Sequence, residues 1–473
     1  MLKDIAISQV FERIRFENPW WVDGEIDKYF KEMPHRAYFT QFVNITTDLS
    51  VKRAVVLMGP RRVGKTVMLY HLVQELLDKG VNPKRILFIT VENPIYNNLS
   101  LDKLFALGRE SLGMKSELKD WYVIFDEIQY LKDWDVHLKS LVESYRNTRF
   151  IVSGSAAAAL KYKSQESGAG RFTDFMLPPL TFYEFINMQK LEHSVQKTKI
   201  PFGQNIADYY QAPDIQQFNN YLVDYINYGG YPEAIFSESV RNNPERFIRN
   251  DVIDKVLLRD LPGLYGISNV QELNSLFTTI SYNTANEFSI ETLSVKSGIP
   301  KITIRKYLEY LEAAFLIKIV KRLDQSGKRF QRDNFFKIYL TNASLRSAMF
   351  SPISPTDDAM GSLAETTIFA QWFHRNNFIS WYARWNTGEV DMVGINKKHL
   401  KQQWALEINW SDRYVTQTKE LKSIINFCKE NNLHEALITT ISIQEIKKFD
   451  GIEFNFIPAS AYAYTVGANT LVQ

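Results

Sequence analysis

Gly59-Pro60-Arg61-Arg62-Val63-Gly64-Lys65-Thr66 is the stretch on which the reading of this chain turns. It satisfies G-x-x-x-x-G-K-[ST] at every fixed position, and its surroundings are those the motif requires. The apolar run Ala54–Met58 leads into it, and residues 67–77 leave it with the apolar spacing of an amphipathic helix. Glycines let backbone N–H groups curl around a phosphate without Cβ clashes, and the helix N-terminus adds a positive dipole end. Lys65 is then placed to reach the β- and γ-phosphates of ATP, and the Thr66 hydroxyl to ligate Mg²⁺. The nucleotide-contacting set read from this motif is Gly59, Pro60, Arg61, Arg62, Val63, Gly64, Lys65, Thr66 and Val67.

Downstream, residues 122–127 form an apolar run ending in two adjacent carboxylates, Asp126 and Glu127. Asp126 is expected to hold Mg²⁺ and Glu127 to polarise the attacking water. The next run, from Arg149, ends in small polar residues. Ser155 or Ser153 is placed to contact the γ-phosphate or the lytic water, although small residues at a strand end also serve simply as turn formers. Arg171 follows a glycine stretch, Gly168-Ala-Gly170. An arginine finger reaching a neighbour's nucleotide fits there; a phosphate contact in cis or a plain surface role are the alternatives.

Working outward, four apolar runs (54–58, 86–90, 122–125 and 150–152) alternate with amphipathic segments to about residue 185. That alternation predicts a parallel sheet covered on both faces, an α/β class. Over 473 residues, 45% hydrophobic and 23% charged side chains exclude wholesale disorder and provide for several cores. A net charge of +3 is too small to mark the whole chain as a binder of polyanions, so any nucleic-acid argument must be local. The single cysteine, Cys428, excludes an intramolecular disulfide, and no Cys/His cluster suggests zinc. The N-terminus carries charges where a leader needs an apolar core, and no apolar run approaches a membrane span, so a cytoplasmic location is expected. The organisation read along the chain is an N-terminal helical segment (1–50), an ATPase core (51–216) whose polar residues 186–216 read as linker or insertion, a helical domain (217–345) and a small α/β domain (346–473).

Residues 271–283 and 289–297 read as helices, and Gly298-Ile-Pro300 makes a turn before a third at 301–315, with Ile304, Leu308, Leu311 and Phe315 on one face. A two-stranded hairpin follows, 316–323 and 335–340, completing a winged-helix pattern. Ten Lys and Arg stand against four Asp and Glu over 301–337, a net +6 while the rest of the chain is slightly acidic. DNA-contacting candidates are Lys301, Thr303, Arg305, Lys306, Lys328, Arg329 and Arg332. Winged helices also serve as protein-interaction modules, and basic faces are often merely solvated.

From about residue 360 the pattern reads helix, three strands, helix, strand, which resembles the PD-(D/E)xK nuclease core. Asp391 and Glu407 are the candidate Mg²⁺ ligands there, with Glu365 behind them. The nuclease pattern calls for Glu-x-Lys, and here it is Glu407-Ile408-Asn409. An asparagine amide lacks the positive charge that activates the nucleophilic water. Lys419 is a candidate substitute; a retained scaffold gripping nucleic acid or a partner is the preferred reading.

Together, the phosphate loop, Phe125-Asp-Glu-Ile-Gln129 followed by Trp134, Val152-Ser-Gly-Ser155, Gly170-Arg171 and Leu177–Phe185 resemble a prokaryotic AAA-type P-loop ATPase family. Its C-terminal half, a domain of unknown function, combines a winged helix with a nuclease-like module. The resemblance implies an AAA+ core, Arg171 as the family's arginine, and a homo-oligomer, with a hexameric ring among the options. The function expected is Mg²⁺-dependent ATP hydrolysis coupled to DNA binding or remodelling. The alternatives are a nucleotide-operated switch that binds a protein partner, and an active nuclease.

Overall fold

The computed structural model describes residues 7–113, 120–154, 170–202, 205–328, 334–374, 379–395 and 401–470. They form two compact units, one ending at Pro178 and the other beginning at Pro179.

In the first unit, β1 (Ala54–Met58), β2 (Ile86–Thr90), β3 (Trp121–Asp126), β4 (Thr148–Gly154) and β5 (Phe172–Met176) make one parallel sheet in the order β2-β3-β4-β1-β5. Val56 of β1 lies opposite Val152 on one side and Asp174 on the other. Every residue of β1 and β3 is buried, which is why both read as continuous apolar runs rather than as alternating ones. Because the strands are parallel, the C-terminal ends of β1, β3 and β4 gather at one end of the sheet.

β2 is an edge strand, and the N-terminal segment closes it. The Asn18 amide donates to Phe88 O and accepts from Phe88 N, each at 2.7 Å. Indole N–H groups of Trp20 and Trp21 donate to Ile86 O, and Glu17 accepts from Thr90 N at 3.2 Å. Side chains thereby take the place of a further strand and leave no open ladder for another chain to pair with.

The second unit is built on a nine-stranded mixed sheet. Its members are β8 (Glu287–Ser289), β9 (Ile317–Leu323), β10 (Phe335–Leu340), β11 (Ser380–Trp385), β12 (Gly388–Ile395), β13 (Gln402–Glu407), β14 (Glu435–Thr440), β15 (Glu445–Phe449) and β16 (Ile452–Pro458). The order is β15-β16-β14-β13-β12-β11-β9-β10-β8. β9 and β10 form the antiparallel hairpin, and β9 pairs in parallel with β11, Lys321 opposite Trp381 and Leu323 opposite Ala383. The sheet therefore runs straight through the boundary drawn at 345/346. The helix Ala459–Thr470 is buried nearly all round, against the helices Phe182–Met188 and Met360–Trp372.

Residues 179–216, which include the stretch 186–216 read as linker or insertion, carry regular structure. They form the capped helix Phe182–Met188 and an antiparallel pair, β6 (Gln196–Phe202) and β7 (Asn205–Gln211), and they belong to the second unit. Leu180 N donates to Gly230 O, and Tyr225 Oη donates to Leu180 O at 2.6 Å. Their polar residues hid buried anchors such as Phe182 and Tyr209. The third helix of the middle region ends at Ala313, and Phe315 turns through a left-handed φ of 58° instead of extending the apolar face. Among the described residues no helix is long and apolar enough to cross a membrane.

Candidate functional site

The loop after β1 is shaped by two local requirements. A Cβ on Gly59 would lie 2.2 Å from the Leu177 carbonyl oxygen, so the strand end beside it admits only glycine. Gly64 takes φ 90° and opens the helix Lys65–Asp78, whose first N–H groups lack partners within the helix and face the loop's end. Lys65 is 4% exposed, and its ammonium donates to Pro60 O at 2.7 Å and Gly59 O at 3.1 Å. From outside, Arg36 holds the loop by donating to Val63 O at 2.6 Å and to Pro178 O at 2.9 Å. Arg61 donates to Tyr130 Oη at 3.1 Å.

Opposite the loop, β3 delivers Asp126, which is 1% exposed. Its Oδ2 accepts from the Thr66 hydroxyl at 2.7 Å, and its Oδ1 from the Ser153 hydroxyl. Ser153 on β4 accepts in turn from Glu127 N at 3.1 Å, so one hydroxyl ties both carboxylate residues to the next strand. Burial, then the adjacent Glu127, push the Asp126 carboxyl up to about 6, while Ser153, Thr66 and Lys65 pull it down. Glu127 has φ 58°, a left-handed conformation that costs a non-glycine residue about 1–2 kcal/mol. The Ser153 bond holds its backbone there, and the Gln129 amide holds its carboxylate. Thr66 and Asp126 offer hard oxygen donors 2.7 Å apart, a donor set that fits Mg²⁺.

Residues 51–186 match the family model described as an AAA domain, and residues 219–357 that of a domain of unknown function, DUF8612. The first unit has the fold of a P-loop ATPase. The chain is 24% identical over 411 residues to an uncharacterized protein of Methanocaldococcus jannaschii, covering 84% of this chain and 85% of that one. It is 23% identical over 408 residues to an uncharacterized protein of Haemophilus influenzae, covering 85% and 92%. Among solved structures it is similar to the Walker-type ATPase of Pyrococcus abyssi, with TM-score 0.43 and 16% identity over 67% of this chain and 96% of that one. It is also similar to the ORC2 protein of Aeropyrum pernix, with TM-score 0.38 and 12% identity over 72% and 94%.

Other residues singled out by sequence lie elsewhere. In the P-loop ATPase unit, Arg171 precedes β5; its carbonyl accepts from Ala54 N and its guanidinium pairs with Glu143 at 3.0 Å. Ala54 begins β1 and Gly59 follows its end, so Arg171 and its own phosphate loop are separated by the length of the strand, ~13 Å or more. At that place its guanidinium is held by Glu143. Ser155 lies outside the described residues, as do Arg329 and Arg332.

In the second unit part of the charge of the helix and hairpin is paired with carboxylates, mostly at the surface. Lys301 pairs with Glu291, Lys318 with Glu312 at 2.7 Å and Arg322 with Glu287 at 3.6 Å. Arg305, Lys306 and Lys328 are exposed and Thr303 is half-buried. Asp391 on β12, Glu407 on β13 and Glu365 on the helix Met360–Trp372 do come together, but around a lysine that sequence reasoning had counted among the hairpin's cations. Lys337 on β10 lies 2.9 Å from Glu365, 2.6 Å from Glu389 and 3.4 Å from Asp391. Lys419 sits exposed on the turn Thr418–Leu421. Asp391 and Glu407, the expected Mg²⁺ pair, lie beside the Lys337 ammonium. Burial pushes Glu365 up to about 7 and Glu407 well above the carboxylate range.

Arg36, Ser153 and Lys337 are the residues sequence reasoning missed or left ambiguous. Only Lys337 carried a local signal, as the lone charge in the otherwise apolar run Phe335–Leu340, whose other residues from Phe336 on are buried.

Proposed function

We propose that this protein is a Mg²⁺-dependent ATPase that works as an oligomer and couples turnover to DNA binding or remodelling. The observation that carries the ATPase reading is the continuous chain of contacts Thr66–Asp126–Ser153–Glu127 beside the Lys65 loop. In this reading Lys65 binds the β- and γ-phosphates, and the helix N-terminus and loop backbone orient them. Thr66 and Asp126 hold Mg²⁺, which when bound supplies charge neutralisation on the transferring phosphoryl group. Glu127 orients the attacking water in line with the bond to the leaving ADP. Arg171, whose carbonyl pairs with Ala54 at the end of β1 remote from its own loop, acts on the nucleotide of a neighbouring copy.

The DNA assignment rests on the exposed cations Arg305, Lys306 and Lys328 of the hairpin region. A second reading, a nucleotide-operated switch for a protein partner, is favoured by the pairing of Lys301, Lys318 and Arg322 with carboxylates of the same unit. Steady-state ATP hydrolysis with and without DNA, at low and moderate salt and with Lys65→Ala as the blank, separates the two. Stimulation that weakens as salt rises supports the DNA-coupled ATPase. Hydrolysis indifferent to any DNA supports the switch, and wild-type hydrolysis no faster than Lys65→Ala overturns both.

A further inference from the structure

The carboxylate cluster of the second unit has the layout in which a nuclease-like fold would seat a divalent metal, yet a lysine already sits among its carboxylates. Lys337 is 4% exposed and reaches three carboxylates, those of Glu365, Glu389 and Asp391. Glu365 Oε1 also accepts from Tyr339 Oη at 2.7 Å. Asp391 has both oxygens engaged, Oδ1 with Lys337 and Oδ2 with Ile408 N at 2.8 Å. Glu389 is bridged further to Arg384 at 3.1 Å, and Arg384 to Glu287 at 3.7 Å. Glu407 Oε2 and the Asn409 amide nitrogen, the positions of the nuclease motif, are buried without hydrogen-bond partners among the described residues.

A divalent ion entering this cluster would have to displace the Lys337 ammonium. The lysine is anchored in the middle of a paired strand, between Phe336 opposite Lys321 and Ile338 opposite Ile319. Its side chain is only 4% exposed, and a buried ammonium stripped of its carboxylates is strongly unfavourable. The donor set therefore does not fit Mg²⁺ while Lys337 is present. We propose that Lys337 is the resident cation of this site: its ammonium stands in the place of the metal, locks the hairpin strand β10 to β12 and the helix Met360–Trp372, and leaves the second unit without metal-dependent phosphodiester cleavage. The lysine has not simply moved to restore the Glu-x-Lys chemistry. In that chemistry lysine and metal act side by side, and here the lysine takes the carboxylates the metal would need.

The test is Mn²⁺ binding to the nucleotide-free full chain, counted by the loss of the free-ion electron paramagnetic resonance signal. Wild type and Asp391→Asn should bind the same number of ions, any shared binding belonging to the P-loop ATPase unit. Lys337→Ala removes the ammonium and should gain about one Mn²⁺ per chain, which Lys337→Ala with Asp391→Asn loses again. Thermal melting gives the same contrast: Mn²⁺ should raise the midpoint of Lys337→Ala and leave the difference between wild type and Asp391→Asn unchanged. A Mn²⁺ ion in wild type that disappears in Asp391→Asn, or cleavage of DNA that depends on Asp391, overturns the proposal. A folded Lys337→Ala that gains no ion overturns the claim that the ammonium occupies a metal position. Should Lys337→Ala not fold, the wild type against Asp391→Asn comparison decides.

Discussion

At the scale of single residues, Asp126 faces two opposed demands. Burial beside Glu127 favours its protonated form, while Mg²⁺ with nucleotide needs the carboxylate. With a folded value of about 6 against an ordinary 3.8, the folded chain holds an extra proton between those values, so this group's contribution to stability falls as pH rises from about 4 to about 6. Binding of Mg²⁺-nucleotide pulls the value down and expels that proton. Near pH 6, calorimetric titrations in buffers of different ionisation heat should report release of a fraction of a proton per site. Asp126→Asn should abolish it, and a binding heat independent of buffer in the wild type would show that Asp126 is already ionised. Glu127→Gln should retain nucleotide affinity while turnover drops about 100-fold or more. Hydrolysis at the parent rate would remove Glu127 from the role of base. Thr66, Asp126 and Glu127 were legible because each sits at a fixed offset within a contiguous motif. Ser153 was not distinguishable from Ser155, since only the register of β3 against β4 brings its hydroxyl between Asp126 and Glu127.

At the scale of elements, the apolar runs were readable as parallel strands because strands buried on both faces need no alternation. Their closure was not readable. Asn18 satisfies a donor and an acceptor of β2 from 70 residues away, and nothing local to either segment announces it. Asn18→Ala leaves Phe88 N and O buried without those partners and should cost about 2 kcal/mol or more. Chemical denaturation followed through the Trp20 and Trp21 environment measures this, and a midpoint unchanged from wild type would mean that water replaces the amide. The structure within 186–216 was not readable for a related reason. Short segments with one or two anchoring aromatics look polar on average, although Tyr209 is buried.

At the scale of the molecule, the position of Arg171 is the clearest case of topology deciding chemistry. Its ion pair with Glu143 leaves both partners about half exposed, so the guanidinium is available at modest cost to a neighbouring copy. Lys65→Ala and Arg171→Ala should each be inactive alone and recover part of the activity when mixed, because a mixed interface can pair an intact loop with an intact arginine. No recovery, in a preparation shown to exchange subunits, would remove the trans assignment. The nine-stranded sheet is likewise a whole-molecule fact. It makes the hairpin part of the same sheet as the carboxylate strands, so the basic hairpin cannot swing independently of β11 and β12 without breaking ladder hydrogen bonds.

What the sequence determined by itself is the nucleotide site: strand, glycine loop, lysine, hydroxyl, helix and the paired carboxylates all follow from backbone geometry acting over a few residues. What only the tertiary structure decided is which distant side chains complete or occupy a site: Arg36 against the loop, Ser153 between two carboxylates, Asn18 along an edge, and Lys337 among Glu365, Glu389 and Asp391. The reason is physical. Short-range motifs are constrained by φ, ψ and periodicity, which spacing records. The partner of a buried charge is set by sheet order and register, and by the requirement that the charge be neutralised once water is excluded.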